Sequence, residues 1–161
     1  MEISGERDER TERALAAGVA AGLERLIGLF RSLSPPDGLS LTAAATLATL
    51  ERSGPCRLTS LAAREGVTQP AMTQLVARLQ DAGLVTRNHD PADGRVVQVC
   101  ITGEGKVTLA RRRQARAERL AGVLARLSPD QRTTLAAALP AMDALASARR
   151  DDVADAAHQY S

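Results

Sequence analysis

Between Thr68 and Gly105 the chain has little freedom of fold. Thr68 is a good helix N-cap, and Pro70 falls in the first turn, where its missing N–H costs nothing. The helix that follows ends near Ala82 at Gly83, a residue suited to the left-handed C-terminal position. Leu84 to Asn88 and Val96 to Ile101 then read as two strands, with Val97, Val99 and Ile101 alternating against Gln98 and Cys100. Asp90-Pro91-Ala92-Asp93-Gly94-Arg95 separates them, and Asp93-Gly94 is a strong hairpin signal. Thr102 caps a further helix reaching about Leu127.

The upstream residues give that helix a partner. Thr42 is expected to cap a short helix whose Leu47 and Leu50 face inward, closed by Ser53-Gly54-Pro55. Arg57-Leu58 reads as a minimal strand. A helix of less than two turns, Leu61 to Glu65, follows with Thr59 or Ser60 as cap and Gly66 as its left-handed end. The helices joined through Gly66-Val67 form a helix-turn-helix by pattern. Outside this region, residues 6–33 form a long helix with Val19, Leu23, Leu26, Phe30 and Leu33 in a heptad-like seam. Ser34-Pro35-Pro36-Asp37-Gly38 breaks it. Ser128 and Gln131 have capping-box spacing around Pro129, opening a last helix with Leu135, Leu139, Met142 and Leu145 on one face. Pro140 should bend or divide that helix, and the polar tail after about Arg150 should fray. Aromatic residues are 1% of the chain while apolar residues are 44%, so the core must be built from Ala, Leu and Val, a mixture that favours packed helices. The fold class is therefore mainly α with a small antiparallel β-hairpin.

Placed at about 100° per residue, Met72, Leu75, Val76 and Leu79 fall on the inner side of the helix after Thr68. The outer side holds Pro70, Thr73, Gln74 and Ala77, flanked by Gln69 and Arg78, with no acid before Asp81. Such a face suits the major groove of DNA. Small residues such as Ala71 and Thr73 permit close approach and can touch thymine methyls, and Gln69 or Gln74 can pair with an adenine edge. The same polarity suits an ordinary surface helix, and the hairpin tips the balance. Arg95 follows the Asp93-Gly94 turn directly, Asp93 can hold it by a charge-assisted hydrogen bond, and an Arg so placed can enter a narrow minor groove.

These residues also exclude other chemistries. Net charge is only +2, so a nucleic-acid partner must be argued from where charge sits. Arg111-Arg112-Arg113, with Arg116 and Arg119, is the strongest basic run, and it suits either phosphates or an exposed helix face. Cys56 and Cys100 lack paired spacing and a neighbouring His, and His89 and His158 stand alone, so no metal site, cofactor or disulfide framework is expected. A redox-sensing role for either Cys stays open beside the plainer role of a small packed residue. There is no nucleophile–base pair and no Gly-rich phosphate loop, which argues against an enzyme. No apolar run approaches the roughly 18 residues that span a bilayer, and the acidic N-terminus is unlike a signal peptide, so no membrane partner and a cytoplasmic location are expected.

The run Val67-Thr68-Gln69-Pro70-Ala71-Met72-Thr73-Gln74-Leu75-Val76 with Arg78-Leu79, then Gly83-Leu84-Val85, the hairpin Asp90 to Arg95 and Ile101-Thr102-Gly103-Glu104-Gly105, resembles the MarR family of bacterial winged-helix regulators over about residues 10–148. The resemblance implies a winged helix-turn-helix at 40–103 within a single 1–161 domain, with dimerisation helices at 6–33 and 104–150. It further implies a homodimer on a pseudo-palindromic double-stranded operator, most often a repressor released by a small molecule or another signal. The DNA-contacting set is then Thr68, Gln69, Pro70, Ala71, Thr73, Gln74, Arg78, Asp93, Gly94 and Arg95. Gln74 stands where many relatives carry Arg, as does Gly94, which shifts base preference at the first and leaves Arg95 more of the wing contact. Phe30 and Tyr160 are the only large aromatics, so no aromatic-lined effector pocket is expected and no effector-binding residue is singled out. A second reading is a winged-helix dimer whose main partner is a protein, with weak DNA binding lacking sequence preference.

Overall fold

The computed structural model describes residues 3–89 and 96–158. It is mostly helical, with one small antiparallel sheet. The chain divides into two compact units, Met1–Pro35 and Pro36–Ser161. The first is the helix α1 (Ile3–Ser32), whose Leu15, Val19, Leu23, Leu26, Ile27 and Phe30 are exposed.

The second unit runs α2 (Leu41–Ser53), β1 (Cys56–Arg57), α3 (Leu58–Glu65), α4 (Gln69–Asp81), β2 (Val85–His89), β3 (Val97–Ile101), α5 (Gly103–Leu124) and α6 (Pro129–His158). Its core gathers Ala43, Leu47 and Leu50 from α2, Leu61 and Ala62 from α3, Met72, Leu75, Val76 and Leu79 from α4, then Leu84, Val85, Val99 and Leu109. The strand order is β1-β3-β2, with Cys56 opposite Val99 and Val85 opposite Ile101. Val99 is the buried centre of that sheet; the alternation weakens outward, and Val97 is exposed.

Several boundaries differ from the sequence reading. Ser40, not Thr42, caps α2: the Ala43 amide donates to Ser40 Oγ at 3.1 Å, and Thr42 lies inside the first turn with its carbonyl accepting from Thr46 Oγ1. The earlier start brings Leu41 into the helix, half-buried. α3 begins at Leu58 rather than Leu61 and lacks a side-chain cap. Its start is set by β1, because Arg57 pairs with Gln98 and so stays extended, and the chain turns helical at the next residue. Thr59 and Ser60 are then inside the first turn. α6 is one continuous helix through Pro140 and extends to His158, past the expected fraying point. A single interior Pro removes one main-chain hydrogen bond, and the α6 register continues on both sides of that loss.

The remaining punctuation follows the sequence closely. Gly66 (φ 64°) and Gly83 (φ 71°) are left-handed, and each sits inside the same closing pattern. The Val67 amide donates to the Ala62 carbonyl at 3.0 Å, and the Leu84 amide to the Leu79 carbonyl at 2.9 Å. Both helices of the helix-turn-helix therefore end in the same way. At the start of α6, the Ser128 amide donates to Gln131 Oε1 at 2.9 Å and the Gln131 amide to Ser128 Oγ at 3.2 Å, a reciprocal capping box.

Candidate nucleic-acid interface

α4 is sided as its periodicity demands. Met72, Leu75, Val76 and Leu79 are buried, whereas Gln69, Pro70, Ala71, Thr73, Gln74, Ala77 and Arg78 are exposed along one continuous face. Thr68 caps the helix, its Oγ1 accepting from the Ala71 amide at 3.4 Å. Thr73 Oγ1 donates to the Gln69 carbonyl at 2.9 Å. Its proton is thus used within the helix, leaving the methyl and a lone pair for a partner. Among the described residues the side chains of Gln69, Gln74 and Arg78 engage in no hydrogen bond, so their donors are available to an incoming base edge or phosphate. Asp81 is the acid at the far end of the helix, also exposed.

The hairpin leaves α4 through Gly83. β2 and β3 pair in register from Val85↔Ile101 to His89↔Val97, which forms the stem of a wing. Asp93, Gly94 and Arg95 lie outside the described residues, as do the remaining tip positions from Asp90. On the stem, Arg87 is exposed opposite Val99. The sequence reading did not single it out. The stem's own alternation from Val85 would assign Arg87 to the inner side, yet every residue of β2 after Val85 is exposed.

The arginine run on α5 does not present one basic face. Arg112 is buried and its guanidinium donates to Asp37 Oδ1, in the loop ahead of α2. Arg113 pairs with Glu51 Oε2 on α2 at 2.6 Å, and Arg111 is exposed. Burial raises the Asp37 carboxyl, but the Arg112 hydrogen bond, the Leu39 amide at 3.1 Å and the Arg112 charge outweigh it, and the net displacement is below the ordinary value. Arg116 is pushed below the ordinary arginine value by burial and by Arg112's charge, against the pull of Asp37. Two of these arginines therefore tie α5 to the rest of its unit rather than wait for phosphate.

Cys56 and Cys100 offer no reactive pair. Cys56 is buried, its thiol 3.4 Å from the Gly54 carbonyl, and burial raises its pKa against the lowering effect of Arg64. Cys56 stands opposite Val99, so Cys100, the next residue, belongs to the other face of the sheet. Asn88 Nδ2 lies 3.6 Å from Cys100 Sγ on that face. Among the described residues no group of three or more His, Cys, Asp or Glu side chains is disposed to hold a metal ion, and no helix is long and apolar enough to cross a membrane.

Known proteins share this arrangement. Residues 39–97 match the MarR family model, a span from the loop before α2 to the start of β3. An HTH-type transcriptional regulator of Mycobacterium tuberculosis is 36% identical over 135 residues, covering 84% of this chain and 94% of that protein. The HTH-type transcriptional repressor MdtR of Bacillus subtilis is 28% identical over 89 residues, 51% of this chain and 57% of MdtR. Among solved structures, a putative transcriptional regulator of Pseudomonas aeruginosa superposes with a TM-score of 0.72 at 26% identity, covering 86% of this chain and 96% of that one. With the helix-turn-helix and wing stem in place and matches that span nearly all of a relative's length, the chain belongs to the MarR family of DNA-binding transcriptional regulators.

Proposed function

We propose that the protein is a homodimeric repressor that binds a pseudo-palindromic operator, with α4 in the major groove, the wing Arg95 in the adjacent minor groove and release by a small-molecule or other signal. The observation that carries this reading is the sidedness of α4: all its large apolar residues are inward, and its outer face is small, polar and free of acids until Asp81. Thr68, Gln69, Pro70, Ala71, Thr73, Gln74 and Arg78 form the contact face, and Asp93 and Gly94 set the turn that aims Arg95. Arg87 on the wing stem adds a phosphate contact. Residues 40–103 are the DNA-binding lobe, and 6–33 and 104–150 supply the dimer contacts. The exposed apolar faces of α1 and α6 support the dimer, since surfaces of that kind are rarely left in water. MdtR, a relative named as a repressor, supports the direction of regulation.

Selection of bound fragments from the source genome would yield the operator, and fluorescence anisotropy with labelled duplexes would then measure affinity. The Arg95→Ala variant is expected to bind that operator about 1–3 kcal/mol more weakly. Gln74→Ala should weaken binding by a similar amount and relax preference at one base position in each half-site. Equal affinity of the natural protein for operator and scrambled duplex would sink this reading and leave the winged helix as a protein-binding module.

A further inference from the structure

Immediately after α4 the chain is gripped from the side by the start of α5. Thr102 Oγ1 donates to the Gly83 carbonyl at 2.7 Å and accepts from the Gly105 amide at 3.0 Å, while the Thr102 amide donates to the Leu84 carbonyl at 3.0 Å. One hydroxyl thus caps α5 and holds the residue that ends α4. Gly105 completes the grip. A Cβ on it would lie 2.2 Å from the Leu84 carbonyl oxygen and 2.8 Å from Ile101 Cγ1, distances that no side chain tolerates, whereas Gly103 has open space. The first turn of α5 therefore approaches the Gly83-Leu84 backbone more closely than any residue but Gly allows.

α5 is fixed further along as well. Leu109 enters the core, Arg112 reaches Asp37 and Arg113 reaches Glu51 on α2. Its middle is thereby tied to the loop before α2 and to α2, and its first turn to the end of α4. The junction between the end of α4 and the start of α5 is held by two hydrogen bonds, from the Thr102 hydroxyl to the Gly83 carbonyl and from the Thr102 amide to the Leu84 carbonyl, and by one backbone approach at Gly105. A groove-reading helix must present Gln69, Thr73 and Gln74 at one inclination to the base edges, and in a two-fold dimer the separation of the two helices must match the half-site spacing. A change of inclination at the α4–α5 junction alters both.

We propose that Thr102 and Gly105 are positioning residues for operator recognition, holding α4 at the angle to α5 that matches the half-site spacing. The proposal rests on the reading of α4 as the recognition helix. Thr102→Val keeps the shape and removes both hydroxyl hydrogen bonds, taking that partner from the Gly105 amide and from the Gly83 carbonyl. Thr102→Ser keeps both bonds.

The test measures affinity for three duplexes: the selected operator, the same operator with one base pair inserted between half-sites, and a scrambled sequence. It is run below the unfolding midpoint of each variant, as followed by circular dichroism. Thr102→Val is expected to bind the scrambled duplex within about twofold of the natural protein and the operator about tenfold more weakly, a change of about 1.4 kcal/mol. Its preference for native over lengthened spacing should fall toward one, and Thr102→Ser should restore both quantities. A merely structural Thr102 would lower the unfolding midpoint and leave the spacing preference intact, and that result overturns the proposal. So does a Thr102→Ser variant as defective as Thr102→Val. Should Thr102→Val not fold, Thr102→Cys, with a weaker donor and acceptor, carries the same comparison, and undiminished spacing preference there overturns the proposal. A natural protein that does not distinguish operator from scrambled duplex overturns the recognition reading and the positioning role together; a selective natural protein with a fully selective Thr102→Val overturns the positioning role alone.

Discussion

α4 and α6 carry their large apolar residues at similar helical spacing and dispose of them in opposite ways. Met72, Leu75, Val76 and Leu79 of α4 are 0–7% exposed, whereas Leu135, Leu139, Met142 and Leu145 of α6 are 40–55% exposed. The periodicity is the same signal in both. The difference lies in what the chain can supply to cover each face. Around α4 stand α3 and β2, both within a short stretch of sequence. Among the described residues of its own unit, nothing covers the α6 face to that degree. A periodic apolar stripe therefore shows that a helix will bury a face, and not whether its own chain will do the burying.

Substitutions on the two helices should separate these cases. The largest effect is expected from placing charge on α6. On the dimer reading, Leu139→Asp with Leu145→Asp leaves a monomer by sedimentation equilibrium. Operator affinity then falls on the order of 10²–10⁴-fold, because two linked half-site contacts become independent. An unchanged mass would remove α6 from the interface. The reverse pattern is expected on α4: Met72→Ala should lower stability by about 2–5 kcal/mol in denaturant unfolding, the usual range for a large core side chain. A loss under about 1 kcal/mol there would mean that α4 is covered no better than α6.

Smaller effects test the ion pairs that hold α5 to α2 and to the loop ahead of it. Removing Asp37 strands a buried Arg112 charge, and Asp37→Ala should cost about 2–3 kcal/mol, below the full buried-pair range because Asp37 itself is partly exposed. Glu51→Ala breaks the more exposed pair with Arg113 and should cost less than about 1 kcal/mol. The sign with pH follows from the lowered Asp37 carboxyl. Its contribution is fully present above the ordinary value of 3.8 and is lost as pH falls through the lower folded value. The stability difference between the natural protein and Asp37→Asn should be flat from neutral pH down to about pH 5 and shrink only below about pH 4. A difference that instead shrinks near neutrality would mean that another group holds Arg112.

How much could be read in the sequence depended on how far apart the interacting residues stand. The inner face of α4, the Thr68 and Thr102 caps, the left-handed Gly66 and Gly83 and the Ser128–Gln131 box all rest on contacts within a few residues, and all were legible. The start of α3 is not legible locally, because it is set by pairing of Arg57 with Gln98 on β3, across the whole helix-turn-helix. Three successive arginines on α5 looked like a solvated or phosphate-facing run. Arg112 is buried because its partner Asp37 lies 75 residues earlier, in a loop whose Pro and Gly residues advertise only a break. The clasp of Thr102 on Gly83 was half legible: the sequence announced a cap for α5, and not that the same hydroxyl reaches back to α4. Of the candidate contacts, those on α4 were readable because their exposure follows from the helical period, whereas Arg87 was not, because β2 is exposed at every residue after Val85 and does not keep the alternation its sequence suggests.

The sidedness of α4 also bears on how such a reader can change. The residues that keep the helix folded, Met72, Leu75, Val76 and Leu79, share no position with those available to touch a base, Gln69, Thr73 and Gln74. Exposed helix positions away from caps and core tolerate exchange at a cost within about 0.5 kcal/mol. A new target sequence is thus accessible by single substitutions that the fold barely registers, so descendants of one ancestral lobe can acquire different genes to control without passing through an unstable intermediate.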